Sequence, residues 1–68
     1  MDYTTYLARA AKRKTLHPSE RMGQAYFNQL HEDYPEVAAR VRGTAIDPFH
    51  DDRLIGEFLN TLVEYYSI

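Results

Sequence analysis

Leu54-Ile55-Gly56-Glu57-Phe58-Leu59-Asn60-Thr61-Leu62-Val63-Glu64-Tyr65-Tyr66 is the stretch on which the fold turns. Leu54, Ile55, Phe58, Leu59, Leu62, Tyr65 and Tyr66 recur at spacings of three and four, the period of one helical face. Asp51 or Asp52 stands where an N-cap side chain accepts backbone N–H groups, so the reading is a helix over 51–66. Immediately before it, Thr44-Ala45-Ile46-Asp47-Pro48-Phe49-His50 forms a connection with two apolar anchors, Ile46 and Phe49, and a turn begun by Asp47-Pro48.

Working back from there, Val37, Ala38 and Val41 make a short helix over 35–42, with Gly43 as its left-handed terminator. Pro18-Ser19-Glu20 reads as the first turn of a helix over 18–34, because proline at the first position loses no intrahelical bond. Its expected buried stripe is Met22, Tyr26, Phe27, Leu30 and Tyr34. Gly23 lies on the same side and costs about 1 kcal/mol against alanine, which points to a close approach of another helix. The first segment, 2–14, carries Tyr3, Tyr6, Leu7, Ala10 and Ala11 on one face. Asp2 caps its start, and Lys12, Arg13 and Lys14 complement the dipole at its end. No stretch alternates with the period of a strand. The expected fold is all-α, a small bundle of about four helices forming one domain over residues 1–68.

Composition agrees. The chain has 68 residues, 44% of them hydrophobic and 13% aromatic, enough for one core but not for two. There are no cysteines, which excludes disulfides and thiolate metal sites. No apolar run approaches the roughly 20 residues that span a bilayer, and the N-terminal residues lack the pattern of a signal peptide. A cytoplasmic location is the expectation. The net charge of −2 is unevenly spread. Residues 1–31 hold five basic side chains against two acids, a balance of +3, and residues 32–68 hold three against eight, a balance of −5.

The residues Gly23-Gln24-Ala25-Tyr26-Phe27-Asn28, then Pro35, Val41-Arg42-Gly43-Thr44, Asp47-Pro48-Phe49 and Asp51-Asp52 form a pattern. It resembles a group of small uncharacterised open reading frames from bacteria, prophages and bacteriophages. The resemblance covers a little under half of the chain and brings no catalytic residues. It implies an accessory protein of a mobile element, acting on host or phage machinery.

No motif for chemistry is complete. His31-Glu32 would need a second histidine at position 35 to begin a zinc-protease helix, and Pro35 stands there. Asp47, His50, Asp51 and Asp52 are rich in oxygen ligands but lack the order and glycine of a calcium loop. Ser19 and Ser67 have no nucleophile-elbow context, and Gly23, Gly43 and Gly56 stand alone. Neither a catalytic residue, a metal site nor a cofactor is expected, and the chain reads as non-enzymatic.

Binding remains. Tyr65 and Tyr66 offer aromatic surface for a protein partner or for a homodimer through the last helix. Gln24, Asn28 and His31 share a polar stripe that either recognises a partner or hydrogen-bonds the 44–50 connection. The alternative partner is nucleic acid, gripped by Arg9, Lys12, Arg13, Lys14 and Arg21, although a pI of about 5.8 is low for that role.

Overall fold

The computed structural model describes residues 2–68. Four helices make up the architecture: α1 (Tyr3–Leu16), α2 (Met22–Asp33), α3 (Pro35–Val41) and α4 (Ile55–Glu64), the last preceded by a 3-10 turn over Asp52–Leu54. No strand occurs among the described residues. The molecule measures 29 × 25 × 19 Å, and none of its described helices is long and apolar enough to cross a membrane. All four helices feed one core of Tyr6, Phe27, Leu30, Ala38, Val41, Phe58 and Leu62.

The ends of α1 follow from local chemistry. Asp2 caps it, accepting the Thr5 N–H at 2.9 Å. The helix runs two residues past the expected Lys14, to Leu16, and closes when the His17 N–H reaches Arg13 O at 2.8 Å. Ala11, expected on the inner face, is exposed, because the turn of the helix brings Tyr6 and Ala10 to the core instead.

α2 begins later than its proline suggests. Pro18 and Ser19 are the corners of a turn in which the Glu20 N–H donates to His17 O at 3.0 Å. Proline's fixed φ suits that corner as well as it suits a first helical turn, and here the turn wins. The helix therefore starts at Met22, and Met22 is 46% exposed rather than part of the buried stripe. The buried face is Gly23, Ala25, Phe27, Gln29 and Leu30. Tyr6, fully buried, donates its hydroxyl to the Tyr26 carbonyl at 2.6 Å, which ties α1 to α2 at the centre of the core. Burial drives that hydroxyl's pKa far above the usual tyrosine range.

α3 ends as expected, with Gly43 in the left-handed region at φ 76°. The close approach at Gly23 is real, but its partner is a loop and not a helix. A Cβ there would sit 2.1 Å from the Pro48 carbonyl oxygen and 2.8 Å from Asp52 Oδ1. The Gly23 N–H, left without an intrahelical partner in the first turn, donates to Asp52 Oδ1 at 2.9 Å.

α4 stops at Glu64, two residues before the expected Tyr66. Ser67 then takes φ 58°, which turns the chain so that the Ile68 N–H donates to Leu62 O at 2.9 Å. Tyr66 and Ile68 fold against the core, whereas Tyr65, expected in the inner stripe, is 70% exposed.

Two glycines carry separable expectations. Gly23→Ala forces the Pro48 backbone away and should destabilise by about 2–3 kcal/mol, the upper end of overpacking costs. Gly43→Ala meets no atom within 4 Å and should cost only the left-handed strain, about 1 kcal/mol. Urea denaturation of the two variants gives the order directly.

Candidate functional site

The basic cluster holds the fold together. Arg9 forks onto Asp33, its Nε 3.0 Å from Oδ1 and 3.1 Å from Oδ2, and Asp33 is only 2% exposed in its side chain. Gln29, itself buried, donates to the same carboxylate at 3.1 Å. Arg13 grips Glu20 through Nε at 3.0 Å and Nη2 at 3.1 Å, and Asn28 donates to that carboxylate at 3.1 Å. Lys14 donates to Pro18 O at 3.1 Å, and Arg21 to the Phe49 carbonyl. Of the five cations, only Lys12 is left without a hydrogen-bond or ion-pair partner among the described residues. Arg9, Lys12, Arg13, Leu16 and His17 do line an open groove of about 290 Å³, with Glu32 on its rim.

The polar stripe on α2 divides. Gln24 accepts the Arg21 N–H through Oε1 at 2.8 Å, and Asn28 serves Glu20. Both side chains organise the start of their own helix, and neither hydrogen-bonds the 44–50 connection. His31 is exposed near the end of α2.

That connection satisfies itself through its acids. Asp47 accepts the Gly43 N–H at 2.7 Å and the Phe49 N–H at 2.9 Å. Asp51 caps the 3-10 turn through the Arg53 N–H at 3.0 Å and holds the Arg53 guanidinium as well. Asp52 serves Gly23. Among the described residues no group of three His, Asp or Glu side chains is placed to hold a metal ion. The aromatic anchor Phe49 meets Phe27 edge-on at 6.0 Å, with Arg42 over the other ring at 5.3 Å and His50 against Phe49 at 4.9 Å.

What stays open is the far side of α4 and the residues after it. Tyr65 and Tyr66 stack at 4.9 Å with 29° between their planes, Tyr66 anchored in the core and Tyr65 in solvent. Val63, two residues before Tyr65, is 43% exposed, and Gly56 and Asn60 are exposed along the same helix. Neither Val63 nor Gly56 stood out in the sequence as a site residue. The signal was there: Val63 falls outside the Phe58–Leu62 stripe, and a glycine interrupts an otherwise strong helix.

No protein-family model, curated protein or solved structure matches the chain. Residues from α2, the end of α3 and the connection meet in one place. Gly23, Phe27, Arg42, Gly43, Asp47, Phe49 and Asp52 form the contact between α2 and the connection. That contact builds structure; the exposed surface lies elsewhere.

Acid should loosen the network. The Arg13 guanidinium holds the Glu20 carboxyl below its ordinary value of 4.5. Hydrogen bonding to Thr5 depresses Asp2, and hydrogen bonding to Arg53 depresses Asp51. A depressed folded-state pKa contributes stability above the unfolded value, which is lost as pH falls through the folded value. Stability should therefore fall as pH drops below about 4.5, with Glu20→Gln showing a shallower decline. Thermal melts between pH 7 and pH 3 check this, and a profile unchanged by Glu20→Gln would remove the Arg13–Glu20 pair as a contributor.

Proposed function

We propose that this chain is a small non-enzymatic protein-binding domain, encoded by phage or prophage and acting as a modulator of a host process. One observation carries the reading. The charged and polar side chains that could perform chemistry or grip phosphates are largely engaged inside the fold, while the apolar Val63 of α4 and the aromatic Tyr65 just beyond it stand exposed. Tyr65 is 70% exposed and Val63 43%, and tyrosine on a rigid support is a frequent binding hot spot. Stacking on Tyr66 holds the Tyr65 ring in place before any partner arrives, which lowers the entropy lost on binding. The resemblance to mobile-element reading frames supports a host protein as the target.

Nucleic acid is the weaker reading. Arg9 and Arg13 are already forked onto carboxylates, so binding phosphate would first require breaking ties between α1 and α2 or the turn before it.

The test is affinity purification of tagged protein from host lysate after nuclease treatment, with Tyr65→Ser and Val63→Ser run in parallel. A stoichiometric host protein retained by the native chain and lost by both variants is the expected result. Retention that disappears with nuclease, or that ignores both substitutions, would overturn the assignment.

A further inference from the structure

α4 carries more apolar surface than the core takes up. Phe58 and Leu62 are fully buried, and Ile55 and Leu59 are half-buried beside them. Next around the helix stand Gly56, Asn60 and Val63, all exposed. Spacings of three, four and seven bring Gly56, Leu59, Asn60 and Val63 into one lane along the cylinder.

Gly56 is the informative member of that lane. Glycine is the poorest helix former after proline, so its place even in the first turn of α4 calls for a physical reason. At Gly23 the reason is visible, because the Pro48 carbonyl occupies the space a side chain would fill. A Cβ at Gly56 would meet nothing within 4 Å. Its backbone is not in the left-handed region either. Nothing among the described residues uses the missing side chain, and what a bare helical backbone offers is close approach from outside.

Charge selects what approaches. α4 contains Glu57 and Glu64 and no basic residue. Both acids are exposed on the flank of the lane, and among the described residues neither has a cation within ion-pair distance. A second copy docked here by a two-fold axis would set carboxylates against carboxylates. We propose that this face binds a basic amphipathic helix of another protein. The partner's apolar stripe lies along Leu59 and Val63, its backbone comes closest at Gly56, and its lysines or arginines meet Glu57 and Glu64. The inference rests on the protein-binding reading and adds the chemistry of the partner segment.

The probe is an amidated peptide of about 18 residues, long enough to form a helix, built from leucine, alanine and lysine with one apolar stripe. A second peptide carries glutamate in place of lysine. Each is titrated into the isotopically labelled full chain and followed by amide shifts. The lysine peptide should perturb residues 55–66 and the glutamate peptide should not bind. Glu57→Lys with Glu64→Lys should weaken the lysine peptide about tenfold or more.

Gly56→Gln supplies the control for folding. As a better helix former at an exposed position it should raise Tm by about 4–8 °C, yet weaken the peptide about tenfold by blocking the approach. Equal affinity for both peptides, perturbation centred elsewhere, or unchanged binding by Gly56→Gln would each overturn the proposal. So would a sedimenting dimer that Gly56→Gln dissolves, since the face would then belong to a second copy. A host protein captured through Val63 and Tyr65 by an acidic or extended segment would sink this inference and leave protein binding standing. Peptide binding as described, with no host protein captured, would support the helix-binding face and overturn only the assignment of a host target.

Discussion

The contact of the Gly23 backbone with the Pro48 carbonyl and the Asp52 carboxylate is the constraint on which the rest of the molecule depends. A side chain at position 23 would displace the Pro48 backbone. Without one, the connection after α3 lies directly against the first turn of α2, and Asp52 takes up an N–H that the helix start leaves unpaired. Once that segment is seated, Phe49 reaches the edge of Phe27, and Arg21 finds the Phe49 carbonyl. The 3-10 turn then begins at a determined place, and with it the direction in which α4 presents Phe58 and Leu62 to the core.

A second set of ties joins α1 to both ends of α2. Arg9 to Asp33 and Arg13 to Glu20 join α1 to the end of α2 and to the turn that precedes it. Asp33 is nearly inaccessible, and removing Arg9 would leave a desolvated carboxylate with only the Gln29 amide. These cations serve architecture before they can serve a ligand. A small domain has few side chains, and most of its charges are allocated to internal ties.

Much of this was legible in the residues. The spacing of Phe58 and Leu62, the cap at Asp2, the left-handed Gly43 and the turn at Asp47-Pro48 all rest on local chemistry, which a sequence states openly. The errors have a common origin. Pro18 fits both a helix start and a turn corner, and only the tertiary pairing of Glu20 with Arg13 and Asn28 decides between them. Gly23 was read as a helix contact because helical spacing cannot say what lies opposite. Gln24 and Asn28 were legible as polar and ambiguous as to partner, since their bonds go to Arg21 and Glu20 on the preceding turn. The α4 face was least legible of all. Val63 looked like one more apolar residue in a helix until burial showed that the core leaves it in solvent.

The Gly23–Asp52 bond joins positions 29 apart in the chain, whereas most other ties in the molecule join near neighbours. α1 with its following turn, the α2–α3 corner and the Asp47 loop can each form over short distances. The entropic cost of bringing distant segments together falls on two closures. One brings α1 onto α2 through Tyr6–Tyr26 and Arg9–Asp33, the other brings the loop onto the start of α2, and α4 has no defined direction until the second is made. The topology thus predicts an order of assembly: local helices first, the loop closed over a bare glycine next, and α4 last. On that order the exposed Gly56–Val63 face is the final part of the chain to acquire its shape.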